Sequence, residues 1–308
     1  MITDMNNLTN KPKQLAIIGS TASGKSALAV DIAKRLDGVI LSLDSLALYK
    51  EIDIVSAKPT LKEREGVIHY GIDLISADEP FDVTLFMKLY QEVYAQATKE
   101  NKMLIVVGGS SFYLKSMIDG ISLLPQRNKA LQQELSCQML YPQEVYKRLF
   151  ALDEAYMSSI KSNDTYRIEK ALSIYLATDT IPSVYFKANP PKPTIIGDMP
   201  LYAIETPRDI LRQRIIKRTH SMVENGLIDE VARLEYKYTR QPNAMKSIGI
   251  KETLEYFDGR VDKTRFIEKI ITNTARLAKR QNTFNKSQFK NVVFLGLEEL
   301  KEKILNDY

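Results

Sequence analysis

One cysteine and two histidines in 308 residues leave little material for several kinds of chemistry. Cys137 alone cannot build an internal disulfide framework or a multi-cysteine zinc site. It reads as a small residue on a helix rather than a nucleophile. His69 and His220 are isolated in sequence, which favours surface or structural roles over metal ligation or catalysis. Long apolar runs are also missing. A stretch such as Met103–Val107 falls far short of the ~20 residues a membrane helix needs. Met1 to Asn7 is polar and lacks the basic and apolar regions of a secretory leader. There is no internal repeat and no low-complexity tract. With 44% hydrophobic and 26% charged residues the composition is that of an ordinary globular protein. Together these absences predict a cytoplasmic protein with no membrane partner.

Charge, by contrast, is plentiful and unevenly placed. The net charge is +5, yet residues 1–125 hold 13 Lys/Arg against 15 Asp/Glu. Residues 206–290 hold 19 basic against 10 acidic residues. A near-neutral first part followed by a basic segment suits a polyanionic partner, although a solvated basic surface has the same composition.

The most specific local pattern is Gly19-Ser20-Thr21-Ala22-Ser23-Gly24-Lys25-Ser26, which fits the phosphate-binding loop G-x-x-x-x-G-K-[ST]. The apolar run Leu15–Ile18 before it reads as a buried strand, and residues 27–36 after it carry apolar residues at helical spacing. In that order, loop N–H groups and a helix N-terminus cradle a di- or triphosphate. Lys25 adds a point charge, and the Ser26 hydroxyl can ligate Mg²⁺.

Short apolar runs at Val39–Asp44 and Met103–Val107 alternate with helical stretches at Asp82–Lys99 and Ser110–Ile118. On Asp82–Lys99 the apolar face is read as Leu85, Phe86, Leu89, Val93 and Tyr94. The alternation predicts an α/β fold, a P-loop NTPase-like parallel sheet flanked by helices. After Pro125 the pattern turns helical, at residues 128–140, 142–149 and 164–177, and residues 187–193 read as a linker. Residues 1–125 are therefore the first part of the core, 126–196 an all-helical insertion, and 197–308 the remainder of the core with basic helices. In that remainder Leu201–Ile204 and Val292–Leu295 read as strands. Thr206-Pro207-Arg208-Asp209 reads as a capping box with Pro207 at the first helical position. Arg214 and Arg218 share one helix face, as do Arg276 and Arg280 on a helix over 263–284.

Most such loops hold a nucleoside triphosphate, which makes a kinase or NTPase the first expectation. The strand Met103–Val107, however, ends in Gly108-Gly109 rather than the acid that holds Mg²⁺ in those enzymes. Asp44 does end a strand, and capping the next helix is as good a reading of it as a place in the site.

The loop, Asp44-Ser45-Leu46-Ala47-Leu48-Tyr49-Lys50, Asp53-Ile54 with Ala57-Lys58-Pro59, and Val107-Gly108-Gly109-Ser110 with Tyr113 resemble the tRNA dimethylallyltransferases (isopentenyltransferases). So do Asn163-Asp164 with Arg167 and Arg276-Leu277-Ala278-Lys279-Arg280-Gln281. The resemblance runs from about residue 14 to 286. It implies transfer of a dimethylallyl group from dimethylallyl diphosphate to N6 of the adenosine 3′ to a tRNA anticodon, with Mg²⁺, by a monomer. The loop Gly19–Ser26 would then hold the donor diphosphate. Lys25, Thr21 and Arg218 would act on that diphosphate, Ser26 on the metal, and Asp44 as general base toward N6. Ser45, Leu46, Ala47, Ser110, Gln132, Tyr166, Arg167, Ile168, Glu169 and Lys170 would contact the anticodon stem-loop. Ser20, Thr165, Ile250 and Phe284 depart from the family's usual residues. Alternatives left open are prenylation of free adenine nucleotides, a nucleotide kinase, and an RNA-binding protein with a relict loop.

Overall fold

The computed structural model describes residues 13–308. Met1–Asn7, read above for a leader, lies outside the described residues. The chain forms two compact units, one from the residues up to Lys115 together with Ile195–Tyr308, the other from Ser116–Thr194.

The first unit opens on β1 (Gln14–Ile18), buried at every position, as a central strand covered on both faces must be. The phosphate loop leads into α1 (Lys25–Arg35), which buries Leu28, Ala29, Val30, Ile32 and Ala33 and ends with two basic residues at the negative pole of its dipole. β2 (Gly38–Leu43), α2 (Leu61–Arg64), β3 (His69–Tyr70), α3 (Val83–Lys99), β4 (Met103–Gly108) and α4 (Ser111–Asp119) follow. Asp82 caps α3 by accepting from the Thr84 and Leu85 amides. The buried face of α3 is Phe86, Met87, Tyr90, Val93 and Ala97, whereas Leu85 is exposed. That face is rotated from the expected one because Tyr90 and Ala97 carry it with Phe86 and Val93. α2 and β3 are too short to leave a periodic signal in the sequence.

The second unit is helical: α5 (Lys129–Gln138), α6 (Pro142–Leu152), α7 (Glu154–Met157), α8 (Thr165–Thr178) and α9 (Pro182–Ala188). Leu131, Leu135, Leu149, Met157, Ile168 and Leu172 form its core. Its two ends are tied together. The Thr194 amide donates to the Met117 carbonyl at 2.8 Å, and Ile121 bridges Lys192 in antiparallel fashion. That tie carries the unit back to Ser116, ten residues before the compositional shift that placed its start at 126, and ends it at Thr194 rather than 196.

The chain then supplies β5 (Leu201–Ile204), α10 (Arg208–Glu224), α11 (Leu227–Tyr238), α12 (Ile250–Phe257), α13 (Lys263–Gln288), β6 (Val292–Leu295) and α14 (Leu297–Asp307). The expected capping box at Thr206 is not formed. Pro207 is itself the N-cap, with extended backbone and no side-chain cap, so α10 starts one residue later. α11 and α12 were not anticipated, although Leu227, Val231, Leu234 and Tyr238 are spaced for one helix face.

The six strands form one parallel sheet in the order β3-β2-β4-β1-β5-β6, the α/β architecture the sequence predicts. α1 and α14 pack in a common cluster with Leu15, Ile17, Ile105 and Tyr202 of the strands. Each fully buried leucine or isoleucine there, such as Leu300 and Ile304, contributes about 1.5–3 kcal/mol. A second cluster joins the segment after β2 (Tyr49, Ile52, Val55) to Leu227, Val231, Ile250, Phe266 and Ile270 of α11–α13. β1 lies between β4 and β5, so the loop after it opens at the carboxyl edge of the sheet, where ligands bind in this architecture. Among the described residues no helix is long and apolar enough to cross a membrane.

Candidate active site

A cleft of about 750 Å³ lies at that edge, within the first unit, and the phosphate loop forms one wall. The loop owes its shape to two residues in the left-handed region, Ala22 at φ 63° and Gly24 at φ 98°. Gly24 is the N-cap of α1 and takes this conformation at no steric cost. Ala22 has a Cβ and takes it at roughly 1–2 kcal/mol, offset where it packs against Leu211, Ile215 and Ala278 of α10 and α13.

Three side chains hold the loop. The Lys25 ammonium donates to the Ser20 carbonyl at 3.0 Å. Arg214 of α10 donates to the Ser23 carbonyl at 3.1 Å. The Thr21 amide donates to Gln281 Oε1 of α13 at 2.8 Å. Arg214 and Gln281 are thus bound to the loop by contacts no local spacing announces. Of the residues expected at the phosphate, Thr21, Lys25 and Ser26 line the cleft, Ser26 with its side chain exposed. Ser20 and Ser23 are buried and serve through their backbone.

Asp44 stands where β2 ends. Its Oδ1 accepts from the Leu46 and Ala47 amides at 2.8 and 3.3 Å, closing a turn over Ser45–Leu48. Asp44 therefore lines the cleft and closes a turn; it does not cap a helix, since the next one, α2, is capped by Thr60. The carboxylate interacts electrostatically with Lys25 and Arg218, the latter reaching the cleft from α10. Burial lowers the Lys25 ammonium to about 8. Asp44 opposes that shift, and the nearby Arg218 guanidinium adds to it. Arg218 is itself lowered by burial, against the pull of Asp44 and Glu63. Two cations facing one cleft-wall carboxylate leave positive charge that an anion can neutralise.

The remaining walls are braced from behind. Ser110 Oγ accepts from the Ser45 amide at 3.1 Å, which gives this residue a part in holding the Asp44 turn. A Cβ on Gly108 would run into the Leu43 carbonyl, so only glycine allows β4 to lie so close to the end of β2. The Glu230 carboxylate, buried on α11, accepts from the amides of Asp53, Ile54 and Val55 at 2.8–3.0 Å. Lys58 reaches the Tyr49 carbonyl and the carboxylates of Asp53 and Asp73. Leu46, Ala47, Ile215, Met222 and Ile248 supply apolar surface to the cleft. Tyr113 packs its ring against Phe81, Phe86 and Phe112. His69 lines the same cleft, and burial lowers its pKa against its contact with the Val67 carbonyl.

The other candidate residues lie in the second unit. Gln132 is on the exposed face of α5, beside Lys129 and Ser136. On α8, Tyr166 and Arg167 are exposed, and the Lys170 ammonium lies 5.1 Å from the centre of the Tyr166 ring. Glu169 pairs with Arg127 at 2.6 Å. Ile168 corrects the expectation. It is fully buried in the core of the unit, because position 168 of the amphipathic α8 points inward, and it cannot touch a partner. Cys137 is a free, exposed thiol on α5.

A metal at this cleft would draw on few protein ligands. Among the described residues no group of three or more His, Cys, Asp and Glu could hold an ion. The Ser26 hydroxyl, at the start of α1 beside the phosphate cradle, suits Mg²⁺ instead, which keeps most of its waters and shares ligands with a bound phosphate.

Residues 47–288 match the family described as IPP transferase. The chain is 56% identical over 297 residues to a tRNA dimethylallyltransferase of a Sulfurovum species, covering 96% of this chain and 98% of that one. A tRNA isopentenylpyrophosphate transferase from Bacillus halodurans superposes with a TM-score of 0.71 at 29% identity, over 96% of this chain and 97% of that one. A eukaryotic dimethylallyltransferase whose structures follow its action on tRNA superposes with a TM-score of 0.81 at 25% identity, over 93% and 74% of the two chains.

Proposed function

This chain belongs to the IPP transferase family, and on that premise we propose that it transfers a dimethylallyl group from dimethylallyl diphosphate to N6 of the adenosine 3′ to a tRNA anticodon. The observation that carries the reading is the meeting of Lys25, Arg218 and Asp44 on one cleft that also exposes apolar surface from Leu46, Ala47, Ile215, Met222 and Ile248. A phosphate cradle, a base and a greasy surface are the three things prenyl transfer to an amine needs.

The loop amides, Lys25 and Arg218 bind the diphosphate and take up the charge that grows as the allylic C–O bond breaks. Thr21 meets the same group from the cleft wall. The adenine N6 lone pair, delocalised into the ring, is a poor nucleophile, so its alignment with the allylic carbon matters more than its basicity. As the N–C bond forms, the N6 proton passes to the cleft-facing side of the Asp44 carboxylate, and diphosphate leaves with the electrons of the broken bond. Oδ1 is already held by the Leu46 and Ala47 amides, which fixes the carboxylate for that transfer. Mg²⁺, held by Ser26 and the diphosphate, would supply further charge to the leaving group. To reach this depth the adenosine must leave its stack. Tyr166, Arg167, Lys170 and Gln132 are the contacts proposed for the anticodon stem-loop. The exposed Arg276, Lys279 and Arg280 of α13 suit its phosphates. The same reading makes the protein a cytoplasmic monomer, tested by its elution volume with and without tRNA.

The decisive assay offers radiolabelled dimethylallyl diphosphate and Mg²⁺ with tRNA lacking the modification, and in parallel with AMP. Label in tRNA and not in AMP is the expected result. Label in AMP alone overturns the tRNA reading in favour of free-nucleotide prenylation.

A further inference from the structure

The carboxamide of Gln281 touches two segments at once. Its Oε1 accepts from the Thr21 amide at 2.8 Å, and its Nε2 donates to the Gly109 carbonyl at 2.9 Å. One partner is a donor and the other an acceptor, so the orientation of the amide is fixed by its neighbours. A carboxylate keeps only the first bond, a cationic side chain only the second, and a methionine neither. Gly109 provides the room, since a Cβ there would collide with Nε2.

The contact has a consequence further along the chain. Gly109 precedes Ser110, whose hydroxyl accepts from the Ser45 amide, and Ser45 follows Asp44. Thr21, Gln281, Gly109, Ser110, Ser45 and Asp44 therefore form one connected path of hydrogen bonds and peptide links from the phosphate loop to the carboxylate. The loop and the Asp44 turn follow different strands, β1 and β2, which do not pair with each other because β4 lies between them. We propose that Gln281 is a positioning residue that sets the phosphate loop in register with the Asp44 turn, so that leaving group and base face one reacting centre. This rests on the prenyl-transfer reading above.

The test uses the full-length protein with Gln281→Met, close in shape but without the bonds, and Gln281→Glu. Donor KM, kcat, affinity for inorganic diphosphate with Mg²⁺, tRNA affinity and Tm are measured for each. For Gln281→Met the expected result is a fall of roughly tenfold or more in kcat/KM for the donor, from the loss of two part-buried hydrogen bonds that orient reacting groups. Both donor KM and kcat should contribute, diphosphate affinity should fall, and tRNA affinity should stay within about twofold. Gln281→Glu supplies the readout a merely structural role would not move. At neutral pH its carboxylate has no donor for Gly109 and repels the diphosphate. As pH falls toward 5.5 the protonated fraction of the carboxyl, which can make both bonds, grows about tenfold per unit, so its kcat/KM relative to the native protein should rise.

Native-like donor kinetics in Gln281→Met overturn the proposal, and so does a loss confined to tRNA affinity. If Gln281→Met does not fold, the acid recovery of Gln281→Glu decides alone, and a constant ratio to the native protein across pH counts against the proposal. Absence of transfer by the native protein would instead sink the prenyl-transfer reading. Diphosphate affinity, which needs no turnover, then decides whether Gln281 shapes the loop: a value unchanged in Gln281→Met overturns that role.

Discussion

Lys25 offers a prediction whose size can be worked out before the experiment. Burial against the loop lowers its ammonium from the usual lysine value to about 8, despite the attraction of Asp44. In donor-free protein the charge is then about 90% present at pH 7 and about 10% present at pH 9. If the diphosphate is captured by the charged form, kcat/KM for dimethylallyl diphosphate at saturating tRNA should fall about tenfold across those two units, then about tenfold per further unit. Once the donor is bound, its negative charge favours the ammonium, so kcat should hold to higher pH than kcat/KM. Tyr49, also in the cleft, is raised by burial and does not titrate in this window. The control is Lys25→Arg, whose guanidinium stays charged throughout. Whatever its starting rate, its alkaline limb should vanish. Initial rates from pH 6.5 to 10 settle the matter. A native profile flat to pH 10, or the same limb in Lys25→Arg, would refute the reasoning.

The remaining expectations are shorter. Lys25→Met should raise the Tm of the donor-free protein at pH 7, because it removes a charge that burial disfavours. The native protein should close that gap as pH rises from about 8 toward the unfolded lysine value of about 10.5, where the unfolded chain binds more protons than the folded one. A Tm difference constant with pH would count against it. Asp44→Asn keeps an acceptor for the Leu46 and Ala47 amides, so the turn and tRNA binding should survive while kcat falls by roughly 10²–10⁴; equal loss of tRNA affinity would assign Asp44 to binding. Arg218→Ala should act on donor kinetics, and an unaltered donor KM and kcat would remove it from the diphosphate. Ile168→Ala should lower stability by about 2–5 kcal/mol in denaturant titration, from the cavity it leaves. Tyr166→Ala, two residues earlier and exposed, should leave stability alone and weaken tRNA binding by about 1–3 kcal/mol.

Ile168 shows where the sequence reading stopped short. A motif carried over as a run, Tyr166 to Lys170, makes five neighbours equivalent, but a helix turns about 100° per residue and sends one of them into the core. α11 and α12 were legible in principle, from the spacing of Leu227, Val231 and Leu234, and went unread because charged residues dilute the run. α2 and β3 were not legible, since four and two residues carry no period. The cap of α10 failed for a different reason. Thr206-Pro207 offers two adjacent starting points, and the extended Pro207 backbone selects the later one.

By itself the sequence determined the elements with strong local signals. These were five of the six strands (all but β3), the helices α1, α3, α10 and α13, the phosphate loop with its Lys25-Ser26 pair, and an acid at the end of β2. Local spacing suffices there, because a glycine loop between a buried strand and a helix has few other conformations. Only the tertiary structure decided what those parts do together. The order β3-β2-β4-β1-β5-β6 brings Asp44 to the loop across an intervening strand, and α10 delivers Arg214 and Arg218 to it. α13 places Gln281 between Thr21 and Gly109, residues separated from it by 260 and 172 positions. Hydrogen bonds of this kind are strong at about 3 Å and absent a few ångströms further, so packing, not spacing along the chain, determines whether they exist.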